Sequence, residues 1–488
     1  MGQISSWKKD RKEGSEKGRR GICIVAGVFA VLLFVCLFAV LILPRWTGGA
    51  HADPGETTAR AVAQGSEAGA SEGGSSEESS PEAGFPESET AAESTSEAGA
   101  SEGDTSEDSS SEAGSPESET AGENSSEAGA SEPETSADEY ISIIAVGDNL
   151  YHRSLSQSGI REDGSYDYTP VYRATKYLTA QADIAVINQE TPMGGDAYGI
   201  QTYPRFNVPQ QIGDAMVWAG FDVVTFATNH MMDMGRQGLI DTAKYWKEKH
   251  PEVLVTGISL SQEERDSVPY VECKGKKIAF LNYTYGINSG NLGRETYLLN
   301  ILNEATVRAD IARAKEECDF VIVLPHWGVE GRMVPTDAQY QMAAVLADAG
   351  ADVVIGTHPH VVQKVEWVTS AGGNRTLVFY SLGNFISLQD TAPKMLGGMA
   401  KLRLKIDAQT GKLTLDDYRM DYVVTHFQYD PAIELFSGMT AIPWSDYTRS
   451  RASRHGLISW GKKFSYDMLE EIIRNNGPVT KEEIERIP

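Results

Sequence analysis

The chain has 488 residues, with 43 Lys and Arg against 69 Asp and Glu, and only four Cys. The charge is uneven: residues 1–50 carry a net +5, residues 51–139 a net −23 and residues 140–488 a net −8. With no basic surplus beyond the first twenty residues, nucleic-acid binding by the folded part is disfavoured, and four cysteines exclude a disulfide-built scaffold or a cysteine metal site.

Residues 1–21 are basic, with Lys8, Lys9, Arg11, Lys12, Lys17, Arg19 and Arg20. Residues 22–43, ICIVAGVFAVLLFVCLFAVLIL, contain no charge. A bilayer core about 30 Å thick takes about 20 helical residues, so this run is long enough to span. A cleaved signal peptide has a shorter apolar stretch ending in small residues; this one ends at Pro44-Arg45-Trp46. It reads as a transmembrane signal-anchor helix. The positive-inside bias places the N-terminus in the cytoplasm and the main domain outside, as a single-pass protein of the cell membrane.

Residues 44–139 form a linker of Ser, Glu, Ala, Gly, Thr and Pro. A repeat beginning SEAGASE recurs at Ser66, Ser96 and Ser126. Stacked repeats need apolar faces, which these lack, so a solenoid is ruled out. Low hydrophobicity and like charge predict disorder, and the acidic coil spans on the order of 50 Å as a tether.

From residue 140 to 425, apolar runs alternate with amphipathic stretches. Strands are expected at 141–146, 183–188, 222–227, 277–283, 319–324, 351–355 and 376–380, and helices at about 170–181, 209–219, 236–249, 304–317 and 337–349. Asp337 reads as the cap of the last helix and Gly350 as its stop. The pattern predicts an α/β fold with largely parallel strands, and antiparallel additions around 265–280 and 365–420. Cys273 and Cys318 read as buried, reduced thiols. Residues 426–488 are expected to be a helical extension packing on the domain, with one amphipathic stretch at 465–476.

The strand ends carry the chemistry, because open α/β sheets bind ligands at the carboxyl ends of their strands. In order they read Gly147-Asp148-Asn149, Asn188-Gln189-Glu190, Thr228-Asn229-His230 with Asp233, Pro325-His326-Trp327, Gly356-Thr357-His358-Pro359-His360 and Ser381-Leu382-Gly383-Asn384. Carboxylates and imidazoles without thiolate suit a divalent metal such as Mn, Fe or Zn. Asp148 and Glu190 offer carboxylates, His326, His358 and His360 imidazoles, and Asn229 an amide oxygen. His230 can protonate a leaving group, and Asp233 can orient it. Trp327 reads as a packing wall, and His51, His250, His426 and His455 as surface residues.

The ordered motifs GDN, NQE, TNHxxDxG, HWGxE, GTHPHVVQ and YSLGNF resemble the capsule-synthesis protein CapA family of poly-γ-glutamate biosynthesis. That family looks like a branch of the calcineurin-like metallophosphoesterases. The resemblance covers about residues 140–425. It implies a four-layer αββα sandwich with one or two divalent ions, for which Asp148, Glu190, Asn229, His326, His358 and His360 match ligand positions. His230 matches the catalytic histidine. The partners it implies are the membrane, poly-γ-glutamate synthase subunits and an anionic polymer. Where the phosphoesterase pattern has Asp-x-His, this chain has Leu150; His152 lies two residues further on. Two functions stay open: a membrane-anchored protein of capsule-polymer synthesis, export or anchoring, and an extracytoplasmic metal-dependent hydrolase of a wall or capsule component.

Overall fold

The computed structural model describes residues 138–476. The basic N-terminus, the apolar run 22–43, the linker up to residue 137 and residues 477–488 lie outside the described residues. Among the described residues no helix is long and apolar enough to cross a membrane.

Fourteen strands are described. The first seven are β1 (Glu139–Asn149), β2 (Ile184–Gln189), β3 (Val223–Thr225), β4 (Leu254–Thr256), β5 (Tyr270–Cys273), β6 (Lys276–Thr284) and β7 (Phe320–His326). The rest are β8 (Val353–Ile355), β9 (Val365–Thr369), β10 (Arg375–Phe379), β11 (Asn384–Ile386), β12 (Leu396–Ile406), β13 (Leu413–Asp430) and β14 (Leu435–Pro443). They form an eight-stranded sheet, β14-β13-β12-β1-β2-β3-β4 with β11 also on β1, and a six-stranded sheet, β5-β6-β7-β8-β10-β9.

The seven strands expected from apolar runs all form, and they are parallel strands: β1, β2 and β3 in one sheet, β6, β7, β8 and β10 in the other. Parallel strands are covered on both faces and so read as unbroken apolar runs. The antiparallel strands β5, β9 and β12–β14 mix buried and exposed positions and are harder to see.

Side-chain alternation divides the six-stranded sheet. Ile278, Phe280, Ile322 and Leu324 enter a core shared with β1, β2 and the helices Gln211–Ala219 and Gly235–Lys249. Ala279, Leu281, Val321 and Val323 face a second core with Val307 and Ile311 of helix Glu304–Glu317 and Leu346 of helix Asp337–Ala349. The molecule is thus α/β, with helices packed against two mixed sheets that share a core.

Three expectations are corrected. The helix at 170–181 is two pieces, Thr169–Tyr172 and Lys176–Thr179; at the break the Thr175 hydroxyl donates to the Tyr172 carbonyl at 3.0 Å, the local bond that competes with a continuous helix. Helix Asp337–Ala349 is capped by Thr336, in a reciprocal capping box with Gln339, so Asp337 is its first helical residue. The boundary at 425 falls inside β13, and β14 follows, so residues 426–443 extend the sheet rather than start a helical tail. The expected helix near the C-terminus does form at Tyr466–Asn475 behind a Ser465 cap, burying Leu469 and Ile472.

Candidate metal centre

β1 delivers Asp148 through a local irregularity. Its pairing with β2 slips between Val146 and Asp148, and its pairing with β11 slips between Asp148 and Asn149. Such breaks re-aim side chains beside sites. The chain is very close to its neighbour here: the Asp148 amide donates to the Gly383 carbonyl at 2.8 Å, and a Cβ on Gly147 would lie 1.9 Å from that oxygen. Asp148 Oδ1 accepts from Asn188 Nδ2 at 2.8 Å, and Oδ2 accepts from the His358 amide at 3.2 Å. His360 Nδ1 donates to Oδ2 at 3.0 Å.

His358 and His360 flank Pro359 after β8, and both have left-handed backbones, with φ of 97° and 58°. Non-glycine residues rarely sit there, at a cost of roughly 1–3 kcal/mol each unless the surroundings enforce it. Here the turn is held by the Asp148 contacts and by the Gly331 amide donating to the Pro359 carbonyl at 2.8 Å. His326, the last residue of β7, hydrogen-bonds Thr357 Oγ1 through Nδ1 at 2.9 Å and donates from Nε2 to Asn229 Oδ1 at 2.8 Å. Its ring centroid lies 4.8 Å from that of His358.

Glu190, just past β2, is the unsatisfied member. Its side chain is fully buried, and neither carboxylate oxygen has a hydrogen-bond partner; His358 Nδ1 is likewise unpartnered. His360 Nε2 is 3.5 Å and His326 Nε2 is 3.8 Å from Glu190 Oε1. Burial drives the Glu190 carboxyl far above the usual carboxylate range, against the pull of His360. Burial disfavours charge on His360 too, but Glu190 and Asp148 outweigh it and hold its pKa up at about 9. Burial with the neighbouring imidazoles pushes His358 down to about 3 and His326 well below its ordinary value.

One ligand atom each from Glu190, His358 and His360 lie within 4.8 Å of one another. A buried carboxylate without a donor is costly. A carboxylate with two imidazoles is a donor set for a divalent ion, so these residues fit one.

Beside this cluster, His230 Nδ1 donates to Asp233 Oδ2 at 2.7 Å. Asn288 Nδ2 lies 3.4 Å from His230 Nε2, and an amide nitrogen can only donate, so Nε2 is the lone-pair side. Asp233 is fixed by the Phe206 amide at 2.7 Å, and the Phe206 ring meets His230 edge-on at 4.8 Å between centroids.

The sequence model of the bacterial capsule synthesis protein PGA_cap family matches residues 142–389, the stretch that supplies every residue above. The chain belongs to this family. It is 29% identical over 259 residues to the PGA biosynthesis protein CapA of Bacillus subtilis (strain 168), covering 51% of this chain and 64% of that protein. It is 27% identical over 257 residues to the capsule biosynthesis protein CapA of Bacillus anthracis, covering 51% and 60%. The match spans under two thirds of the length of either relative. Among solved structures, the 5'-nucleotidase of Candida albicans SC5314 is 11% identical with a TM-score of 0.33, covering 69% of this chain and 56% of that one.

In this family member all eight residues singled out from the strand ends come together, drawn from both sheets. Asp148 and Asn229 are occupied by protein donors, whereas Glu190 and His358 keep free lone pairs. Leu150 is buried, and His152 does not take its place: His152 Nδ1 accepts the Leu388 amide at 3.4 Å and its ring packs on Phe206. Trp327 is a packing wall, stacked on Tyr380 and donating to the Tyr380 carbonyl at 2.9 Å.

Three histidines read as surface residues are not. His250 bonds Asp214 at 2.7 Å, His426 is half-buried against Tyr447, and His455 is fully buried. Sequence reasoning also passed over Tyr285 and Asn288. They follow β6, a strand end with neither histidine nor carboxylate, and Tyr285 covers His358 with ring centroids 4.6 Å apart.

Proposed function

We propose that this protein is a membrane-anchored, extracytoplasmic member of its family, acting in the synthesis, export or anchoring of poly-γ-glutamate or a similar anionic capsule polymer. Family membership over residues 142–389 carries this reading. The uncharged run 22–43 behind a basic N-terminus supports the anchor and its orientation. Synthase subunits and the polymer itself are the proposed partners. Deleting the gene in a strain that makes such a polymer should strip most of it from the surface, scored by antibody or stain; unchanged surface polymer overturns the proposal.

The site supports a second reading, a metal-dependent hydrolase with a metallophosphoesterase-like four-layer sandwich, favoured by the His230–Asp233 pair beside the carboxylate–imidazole cluster. Glu190, His358 and His360 would hold a divalent ion, with Asp148, Asn229 and His326 around it. When bound, the ion would supply Lewis acidity. This chain's own residues do the rest. Asp148 aims the His360 imidazole, and Thr357 and Asn229 fix His326. Asp233 accepts the hydrogen bond from His230 Nδ1 and fixes the ring, so that Nε2 is left to pick up a proton and hand it on to a leaving group. Phe206 and Tyr285 close the sides against water. Turnover of a phosphoester or amide by the metal-loaded full chain, lost in His230→Ala, is the expected result; no turnover across both classes by wild type sinks the hydrolase reading.

A further inference from the structure

The segment that follows β7 carries a carboxylate, Glu330, that the site described above does not use. Trp327 leaves the strand as a packing wall, and the chain then turns at Gly328 and Gly331, both left-handed with φ of 99° and 73°. A Cβ on Gly328 would lie 2.7 Å from Gln339 Oε1, so the chain is pressed against the start of helix Asp337–Ala349. The Gly331 amide donates to the Pro359 carbonyl at 2.8 Å, between the two turn histidines. Gln363 Nε2 donates to the Arg332 carbonyl at 2.7 Å. The backbone on either side of Glu330 is thereby fixed, and the residue stands beside the centre.

The Glu330 side chain is 49% exposed, and among the described residues its one ion-pair contact is with His360. Glu330 Oε2 lies 4.0 Å from His360 Nε2. Because His360 Nδ1 is bonded to Asp148, Nε2 is the nitrogen turned toward an ion. Glu190 Oε1 lies 3.5 Å from the same Nε2. Donor atoms held at about 2.0–2.2 Å by one ion stand roughly 3–3.5 Å apart when adjacent and about 4.2 Å when opposed. Both spacings here, 3.5 and 4.0 Å, suit one coordination shell. Glu330 lies outside the tighter trio of Glu190, His358 and His360; half exposed, it can close the remaining gap by changing rotamer.

The trio supplies three protein donors, one short of the four that close a metal site. Leu150 offers no donor, and His152 Nδ1 already accepts the Leu388 amide. Asp148 is bonded to Asn188, the His358 amide and His360. We propose that Glu330 is a further protein ligand of the divalent ion, a carboxylate that closes on it from the solvent side. This rests on reading Glu190, His358 and His360 as a metal site. It deepens that reading by naming the group that covers the ion's open position.

The test uses the full chain in detergent, stripped with chelator and titrated with cobalt against a chelating indicator. The visible absorption of bound cobalt follows the atoms and geometry that hold it, not charges beyond them. Glu330→Ala should weaken cobalt binding about tenfold or more and change the position and intensity of the visible bands. Glu272→Ala, on exposed surface of β5 and paired with Lys277 at the far end of β6, should match wild type in both. Glu190→Gln should abolish binding. Unchanged affinity in Glu330→Ala overturns the proposal. So does weaker affinity with an unchanged spectrum, which leaves Glu330 a charge partner of His360. Either result beside a loss in Glu190→Gln leaves the metal site standing. Wild type that takes up no cobalt, or Glu190→Gln that binds like wild type, overturns the reading of the centre and the proposal with it.

Discussion

Glu190 concentrates the tension of the site in one side chain. A buried carboxylate without a donor costs about 1–3 kcal/mol relative to a satisfied one, and here both oxygens lack partners. Removing that charge should therefore separate stability from binding. Glu190→Gln is expected to lose bound metal by elemental analysis, yet to be about 1 kcal/mol more stable than wild type in the presence of chelator, read from urea midpoints. A variant that keeps wild-type metal, or that is less stable under chelator, contradicts the assignment. The residues of the centre were legible because histidine and carboxylate at successive strand ends form a pattern that packing alone does not produce. Which of them are free to bind and which are already bonded was not legible. That depends on partners such as Asn188, Thr357 and the Phe206 amide, whose roles come from geometry across the fold.

At the scale of elements, the crossing of β1 and β11 is the tightest point near the site. With 1.9 Å between a Cβ at Gly147 and the Gly383 carbonyl oxygen, Gly147→Ala must push the strands apart. It should cost about 1–3 kcal/mol and lower metal content as well; wild-type unfolding by denaturant would refute this. The strand β13 is latched to the C-terminal helices by His455, whose Nε2 donates to the Thr425 carbonyl at 2.9 Å and whose Nδ1 accepts from the Leu457 amide. Its ring stacks on Phe464 at 3.8 Å and faces His426 at 5.3 Å. Burial pushes His455 down to about 3 and His426 to about 4, the latter helped by Arg451 and Arg454. Both are neutral when folded, so the unfolded chain takes up protons first. Stability is full above the ordinary histidine pKa of about 6.5 and declines as pH falls from there toward 4 and 3. His455→Phe should flatten that acid limb in a pH series of melting temperatures, and an unchanged slope would count against the latch. Four of the five expected helices were legible to within two residues, since amphipathic period and caps are local, and the stretch at 170–181 was the exception. The latch was not, because nothing in the sequence around His455 announces that Thr425, thirty residues earlier in the chain, lies beside it in space.

For the whole molecule, the extent of the sheet matters more than the extent of the motifs. The family match ends at residue 389, but β12, β13 and β14 continue the eight-stranded sheet. A chain cut after residue 425 would leave β13 short and strip it of β14, making it an exposed edge of the kind that aggregates. Such a truncation should be insoluble; a soluble, cooperatively melting chain ending at 425 would refute this. Length and motif spacing do not reveal where a sheet stops, because late antiparallel strands carry weaker apolar signals than the parallel ones.

Glu190 belongs to one sheet, and His358 and His360 to the other. Neither layer can grip an ion by itself, so an ion seated there would act as a rivet through the seam, and its affinity would gauge how firmly the two layers are pressed together. Any substitution that loosens the seam, however far from the strand ends, would register first as leaking metal and only later as unfolding.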